Sequence, residues 1–160
     1  MSELTVQIKK LEPMRVVSVR VISETPERDA WAKLRAWAES HGLHENLIKH
    51  PVFGFSNPNP APDTKEYGYE YWCAVGPDFE GQGEVEIKEI AGGLFASTPC
   101  KFVGDPTGKD LAEAWFKLWE WVQSSPYRWR MGQELERLVD PHAAEEDMTL
   151  ELWLPVEEKS

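Results

Sequence analysis

Glu134 and Glu136 stand two residues apart in the stretch Gln133-Glu134-Leu135-Glu136-Arg137. Side chains alternate along an extended chain, so the spacing predicts that both carboxylates share one face. Aromatic residues crowd the same part of the sequence. Trp115, Trp119, Tyr127 and Trp129 precede the glutamates, and Tyr69, Tyr71 and Trp72 form a second run. A carboxylate inside an aromatic wall suits one class of ligand, the lipophilic cation. Ring faces supply dispersion and cation–π attraction, and the carboxylate compensates a charge that is otherwise costly to take out of water. Two readings fit this spacing: such a site, or a solvated strand edge carrying two glutamates beside a Trp-rich core.

Other chemistry has less support. There is no G-x-S-x-G and no H-E-x-x-H motif. Paired carboxylates can do acid–base work if they are buried. His41-x-x-His44 has loose metal-ligand spacing, but a solvated helix end accounts for it better. Cys73 and Cys100 have neither metal nor redox spacing and are expected to be reduced thiols. No metal and no cofactor is expected.

The 160 residues are of a size for one domain with its own core. Hydrophobic and charged contents of 41% and 28% fit a globular protein, but eight Trp point to an unusually aromatic core or cavity. The net charge of −11 repels a phosphate backbone over most of the surface and attracts cations. No apolar run is long enough to span a membrane, and no apolar signal core follows Lys9 and Lys10. A cytoplasmic protein without membrane or direct nucleic-acid contact is expected; the oligomeric state stays open.

The elements that must position these residues follow from periodicity. Met14 to Ile22 alternates as a half-buried strand. Thr25 and Pro26 start a helix with the stripe Trp31, Leu34 and Ala38, and Gly42 stops it. A short strand is expected at 52–55, then an irregular Pro-rich stretch from Asn57 to Pro62, then an aromatic strand from Tyr67 to Val75. After a turn-rich connection from Gly76 to Gly83 come a strand over 84–90, a turn or bulge at Gly92-Gly93, and a strand over 94–103. Asp105-Pro106-Thr107 introduces a second helix over 109–123 with the stripe Leu111, Trp115, Leu118 and Val122. An extended segment over 129–139 with a possible bulge at Gly132, an acidic loop over 140–147 and a last strand over 148–156 complete the chain.

The two halves repeat each other. Ala30-Trp31-Ala32-Lys33-Leu34-Arg35-Ala36-Trp37 and Ala114-Trp115-Phe116-Lys117-Leu118-Trp119-Glu120-Trp121 share A-W-x-K-L-x-x-W, and Tyr69-Glu70-Tyr71-Trp72 matches Leu150-Glu151-Leu152-Trp153. Helix matches helix and strand matches strand, which argues for internal duplication. The expected fold is α+β: one domain over 1–160, with strand-helix-strand-strand repeats at about 12–76 and 84–157. It should form an antiparallel sheet with two helices and a central cleft on the pseudo-twofold seam.

These pieces in this order resemble the GyrI-like small-molecule-binding domain, which is also the effector-binding domain of bacterial AraC-type and MerR-type multidrug regulators. The resemblance covers about Glu12 to Glu157. It rests on the duplicated plan, on Gly92-Gly93-Leu94-Phe95-Ala96 with Gly104 before the second helix, and on the Trp-rich helix. Glu136-Arg137-Leu138-Val139-Asp140 and the closing Glu151-Leu152-Trp153-Leu154-Pro155-Val156 complete it. It implies binding of hydrophobic, often cationic drug-like effectors in an aromatic cleft, with Phe95 in the site and an acidic residue at its base. That residue maps to Glu136, or to Glu134, because Leu138 replaces the family's aromatic and one residue is missing before Asp140. The chain lacks the regulators' helix-turn-helix, so it looks like a stand-alone, non-catalytic binder. Relatives imply two alternatives: a hydrolase of reactive cyclopropane-bearing compounds using Glu136, or an inhibitor that binds gyrase as a protein partner. With no basic module, the chain should not retain duplex DNA in a gel shift at physiological salt; tight, salt-dependent retention would contradict this reading.

Overall fold

The computed structural model describes residues 5–43, 45, 52–59, 61–76, 85–101, 109–138 and 149–159. In chain order its elements are β1 (Gln7–Leu11), β2 (Met14–Ser23), α1 (Pro26–Ser40), β3 (Val52–Ser56), β4 (Tyr67–Val75), β5 (Glu86–Ile90), β6 (Gly93–Lys101), α2 (Lys109–Gln123), β7 (Tyr127–Trp129), β8 (Leu135–Leu138) and β9 (Thr149–Glu158). The class is α+β, and every strand pairing described below is antiparallel. His44, the connection over 77–83, Gly104 with Asp105-Pro106-Thr107, and the acidic loop over 140–147 lie outside the described residues.

The chain forms two compact units. One is Met14–Ile90; the other joins Met1–Pro13 to Ala91–Ser160. In the first unit β2 lies between β5 and β4, and β3 pairs with the far side of β4, giving the order β5-β2-β4-β3. In the second, β6 lies between β1 and β9, and β8 pairs with the far side of β9, giving β1-β6-β9-β8; β7 also pairs with the end of β9. Each unit therefore has the same plan: an edge strand, the strand leading into the helix, and then two strands that follow the helix, the later one first. The edge strands are exchanged relative to sequence. The strand expected to open the second half, over 84–90, forms at Glu86–Ile90 and belongs with β2, and the second unit takes its edge strand from the segment before Met14.

Local chemistry explains the helices. Pro26 sits in the first turn of α1, where its missing N–H costs nothing. Thr25 is the N-cap residue, but its hydroxyl does not cap the backbone. It donates to Asp29 at 3.2 Å, as Ser23 does at 2.6 Å. At the other end Gly42 adopts φ +68 and the Leu43 N–H returns to the Ala38 carbonyl at 2.7 Å, closing the helix. α1 buries Ala30, Leu34, Trp37 and Ala38. Trp37 thus replaces Trp31 in the expected stripe, and Trp31 packs half-buried against Tyr71, with ring centroids 5.6 Å apart. In α2, Leu118 and Val122 are buried against Ala96, Cys100, Leu152, Leu154 and Val156, with Leu111 and Trp115 at the margin, so this stripe matches its period.

The expected continuous strand over 129–139 is divided. β7 ends at Trp129 and β8 begins at Leu135, with Arg130 between them turned inward. Its guanidinium donates to the carbonyls of Val156 at 3.2 Å and Leu94 at 3.0 Å, and lies 5.1 Å over the Phe95 ring. Gly93, at φ +127, makes room: a Cβ there would lie 2.8 Å from that guanidinium. Leu118→Ala should cost roughly 2–5 kcal/mol in a urea melt, as for buried Leu truncations generally, whereas Phe116→Ala, on a side chain 63% exposed, should cost under about 0.5 kcal/mol.

Candidate functional site

Strand pairing sorts the side chains of each unit by face, because directly opposed residues point the same way. In the first unit Val17, Val19, Tyr69, Tyr71 and Cys73 share the α1 side: Val17 opposes Cys73, and Val19 and Val21 oppose Tyr71 and Tyr69. The Tyr71 hydroxyl donates to the Glu27 carbonyl, and the Tyr67 hydroxyl to the Glu27 carboxylate at 2.6 Å. Ser18, Glu70, Trp72, Phe53 and Phe55 occupy the other face.

Glu70 dominates that other face. It is 1% exposed, and its carboxylate accepts from Ser18 at 2.7 Å, Trp72 Nε1 at 2.7 Å, Lys88 Nζ at 2.6 Å and Asn57 at 3.0 Å. Burial is the largest influence and pushes this carboxyl up. The four donors together outweigh it and hold the group below the ordinary 4.5.

The second unit builds the same motif from the matching strands. Trp153 Nε1 donates to Glu151 Oε1 at 2.6 Å, and Lys9 Nζ lies 3.0 Å from the same oxygen. Arg137, directly opposite Glu151 on β8, approaches it to 3.6 Å. Burial again pushes the carboxyl up, and the Lys9 and Trp153 donors, with the charges of Lys9 and Arg137, bring it below the ordinary value. Two differences separate the motifs. Arg137 stands opposite Glu151 where Phe55 stands opposite Glu70, and the Glu151 side chain is 15% exposed where that of Glu70 is 2%.

The residues singled out in sequence are placed as follows. Of the two glutamates, Glu136 lies in β8, while Glu134 precedes it and is exposed, so the shared strand face is not formed. Glu136 is half-buried opposite Leu152, on the side against which α2 packs, while Leu135 and Arg137 share the side of Trp153 and Glu151. Tyr69 and Tyr71 are buried under α1, 5.0 Å apart. Trp72 and Phe95 are buried on the faces away from the helices. Phe95 lies 5.4 Å from Trp153, and Trp72 lies 4.7 Å from Phe55. Trp115 and Tyr127 flank the α2 core half-buried. Trp119 and Trp129 are brought together on the surface, with ring centroids 6.4 Å apart.

Glu70, Lys88, Glu151 and Lys9 were not singled out as site residues. Their signal in the sequence is the repeated E-x-W, which places carboxylate and indole on one strand face as well as marking the duplication. Among the described residues no group of His, Cys, Asp and Glu could hold a metal ion, and no helix is long and apolar enough to cross a membrane.

Residues 4–157 match the family described as the GyrI-like small molecule binding domain. No curated protein matches the chain. Among solved structures, the EcmrR C-terminal domain is similar with a TM-score of 0.67 and 17% identity, over 98% of this chain and 99% of that one. In the EcmrR–DNA complex in EcmrR-RPo the chain spans only 58% of the regulator's length (97% of its own, TM-score 0.66, 17% identity). SAV2435 bound to tetraphenylphosphonium gives 0.55 and 13%, over 96% and 94%. A hydrolase from Listeria innocua gives 0.63 and 14%, over 98% and 94%. At these identities the likeness establishes the fold.

A depressed carboxyl stabilises the fold above its unfolded pKa, and that stability is lost as pH falls through the folded value. Glu70→Gln should therefore flatten the fall in stability on acidification below about pH 5. At pH 7 it should cost roughly 3 kcal/mol, the low end for a broken buried pair, because Lys88 keeps contact with water. Urea melts across pH check both, and an unchanged acid limb would remove Glu70 from this role.

Proposed function

This chain belongs to the GyrI-like small molecule binding domain family, and on that premise we propose that its ligands are lipophilic organic cations. The observation that carries this reading is the exposed indole pair. Trp119 and Trp129 are 38% and 40% exposed and stand at 61° to each other, while most of the described aromatic rings are at least half-buried. Large rings held in a defined arrangement at the surface offer dispersion and cation–π contacts. The excess of acidic residues draws cations toward them, and half-buried Glu136 is the carboxylate assigned to neutralise a bound charge. Tetraphenylphosphonium, named with SAV2435, is a ligand of this chemical type. The chain serves as one such domain built from two repeated units. It acts in the cytoplasm as a drug sensor or sequestering protein, without contacting DNA itself.

A glutamate-dependent hydrolase is the second reading. Desolvation pushes the Glu134 carboxyl above its ordinary value, the direction general acid–base catalysis uses. The exposure of this side chain limits the effect.

Tetraphenylphosphonium should quench Trp fluorescence and raise the melting temperature, as any ligand of the folded state does; a neutral isostere of the same shape should bind more weakly. Glu136→Gln should weaken the cation by roughly 1.5–3 kcal/mol, the range for hydrogen bonds to charged groups, and leave the isostere unchanged. If Glu134→Gln carries the loss instead, the carboxylate is assigned two residues too late. Binding of cation and isostere with equal affinity ends the cation reading. Turnover of a cyclopropane-bearing electrophile that either Gln variant abolishes would favour the hydrolase.

A further inference from the structure

Glu151 and Trp153 already hold a cation, and it belongs to the chain itself. The Lys9 ammonium lies 3.0 Å from Glu151 Oε1 and 5.5 Å from the centroid of the Trp153 ring. Lys9 pairs directly with Phe95 across β1 and β6, and the Phe95 ring is 5.4 Å from that of Trp153. One ammonium thus sits against a carboxylate and a ring face, with a second ring beside it. Those are the elements a lipophilic cation needs.

We propose that Glu151, Trp153 and Phe95 form a cation subsite whose resident occupant is Lys9, and that an external organic cation binds there by displacing the lysine side chain. The proposal rests on the cation reading above and gives it a second carboxylate. Three observations support exchange at this place. The Lys9 and Glu151 side chains are 30% and 15% exposed, so both can be reached from water. In the first unit, by contrast, both Glu70 oxygens are engaged by four donors within 3.0 Å and the side chain is sealed. Lys9 is also carried by a five-residue strand that, among the described residues, pairs only with β6. Short edge elements open at lower free energy than the core of a sheet.

The thermodynamics of exchange favour the incoming ligand. An ammonium is compact and strongly hydrated, so Lys9 recovers much of its solvation when it swings into water on its flexible stem. A phosphonium or quaternary ammonium with aryl groups is weakly hydrated and, where the Lys9 stem lay, gains dispersion against the Trp153 ring, which Phe95 backs from beneath Arg130. When Lys9 leaves, Trp153 Nε1 still donates to Glu151 at 2.6 Å and Arg137 remains beside it, so the carboxylate stays oriented for the newcomer. Arg137 stays at 3.6 Å and limits the gain.

The test uses the full chain, with tetraphenylphosphonium and its neutral isostere as probes. Lys9→Met keeps the stem and removes the competing charge. It should tighten the cation about twofold to fivefold, the worth of a partly exposed ion pair, and leave the isostere unchanged. Glu151→Gln should weaken the cation alone. The wild-type protein gives an independent readout that needs no variant to fold: the Lys9 Hε resonances, shifted by the Trp153 ring current, should move to solvated values as tetraphenylphosphonium saturates. If the cation binds the wild-type protein while those resonances stay in place and Lys9→Met changes nothing, the displacement proposal is overturned and the cation reading stands. If no protein binds the cation, both fail.

Discussion

A carboxylate with almost no contact with water must have its charge answered by the protein, and the Glu70 cluster shows how strictly this constrains a sheet. Its four donors come from β2, β4, β5 and the residue after β3. All of them converge only if each strand has its present register. A slip of one residue would turn Glu70 toward the α1 side, among Val17, Val19 and Tyr71. The unpaired charge would then cost more than the slip could recover. The cluster therefore specifies pairing as well as stabilising it. Glu151 does the same in the second unit through β1 and β8, with a looser grip.

The two faces of each sheet have different tasks. The helix-facing sides carry aliphatic and tyrosine side chains that pack against α1 or α2 and make ordinary cores. The opposite sides concentrate carboxylate, indole and ammonium groups. A small-molecule-binding family can keep its helix–sheet packing while varying the opposite face. In this chain such a variation is visible between its own units, where Phe55 and Arg137 occupy matching positions opposite the two glutamates.

Much of the fold was legible because its signals are local. Proline in the first turn and Gly42 after the last bounded α1, the 3.6-residue stripe bounded α2, and the aromatic run gave β4 at its observed limits. The division of 129–139 was not legible. It depends on Arg130 reaching carbonyls on β6 and β9, a contact that no local pattern reports. The site was less legible than the fold. Acidic and aromatic residues could be picked out by type, but the glutamate pair at 134 and 136 does not share a strand face. The E-x-W repeat marked the carboxylates that are held against indoles. Their partners Ser18, Asn57, Lys88 and Lys9 could be named only once strand order and register were known, because each reaches its glutamate across a pairing rather than along the chain.

The second unit is discontinuous: β1 is separated from β6 by the whole of the first unit. During synthesis from the N-terminus, the residues of the first unit are complete before β6 exists. β1 is therefore made before its partner and must wait for a strand encoded some eighty residues later, with an exposed edge in the meantime. Its closing contact spans a long loop, a slow kind of step. A segment made before the first unit thus completes the unit made after it, and the strand that carries Lys9 is fixed only when the later half of the chain arrives.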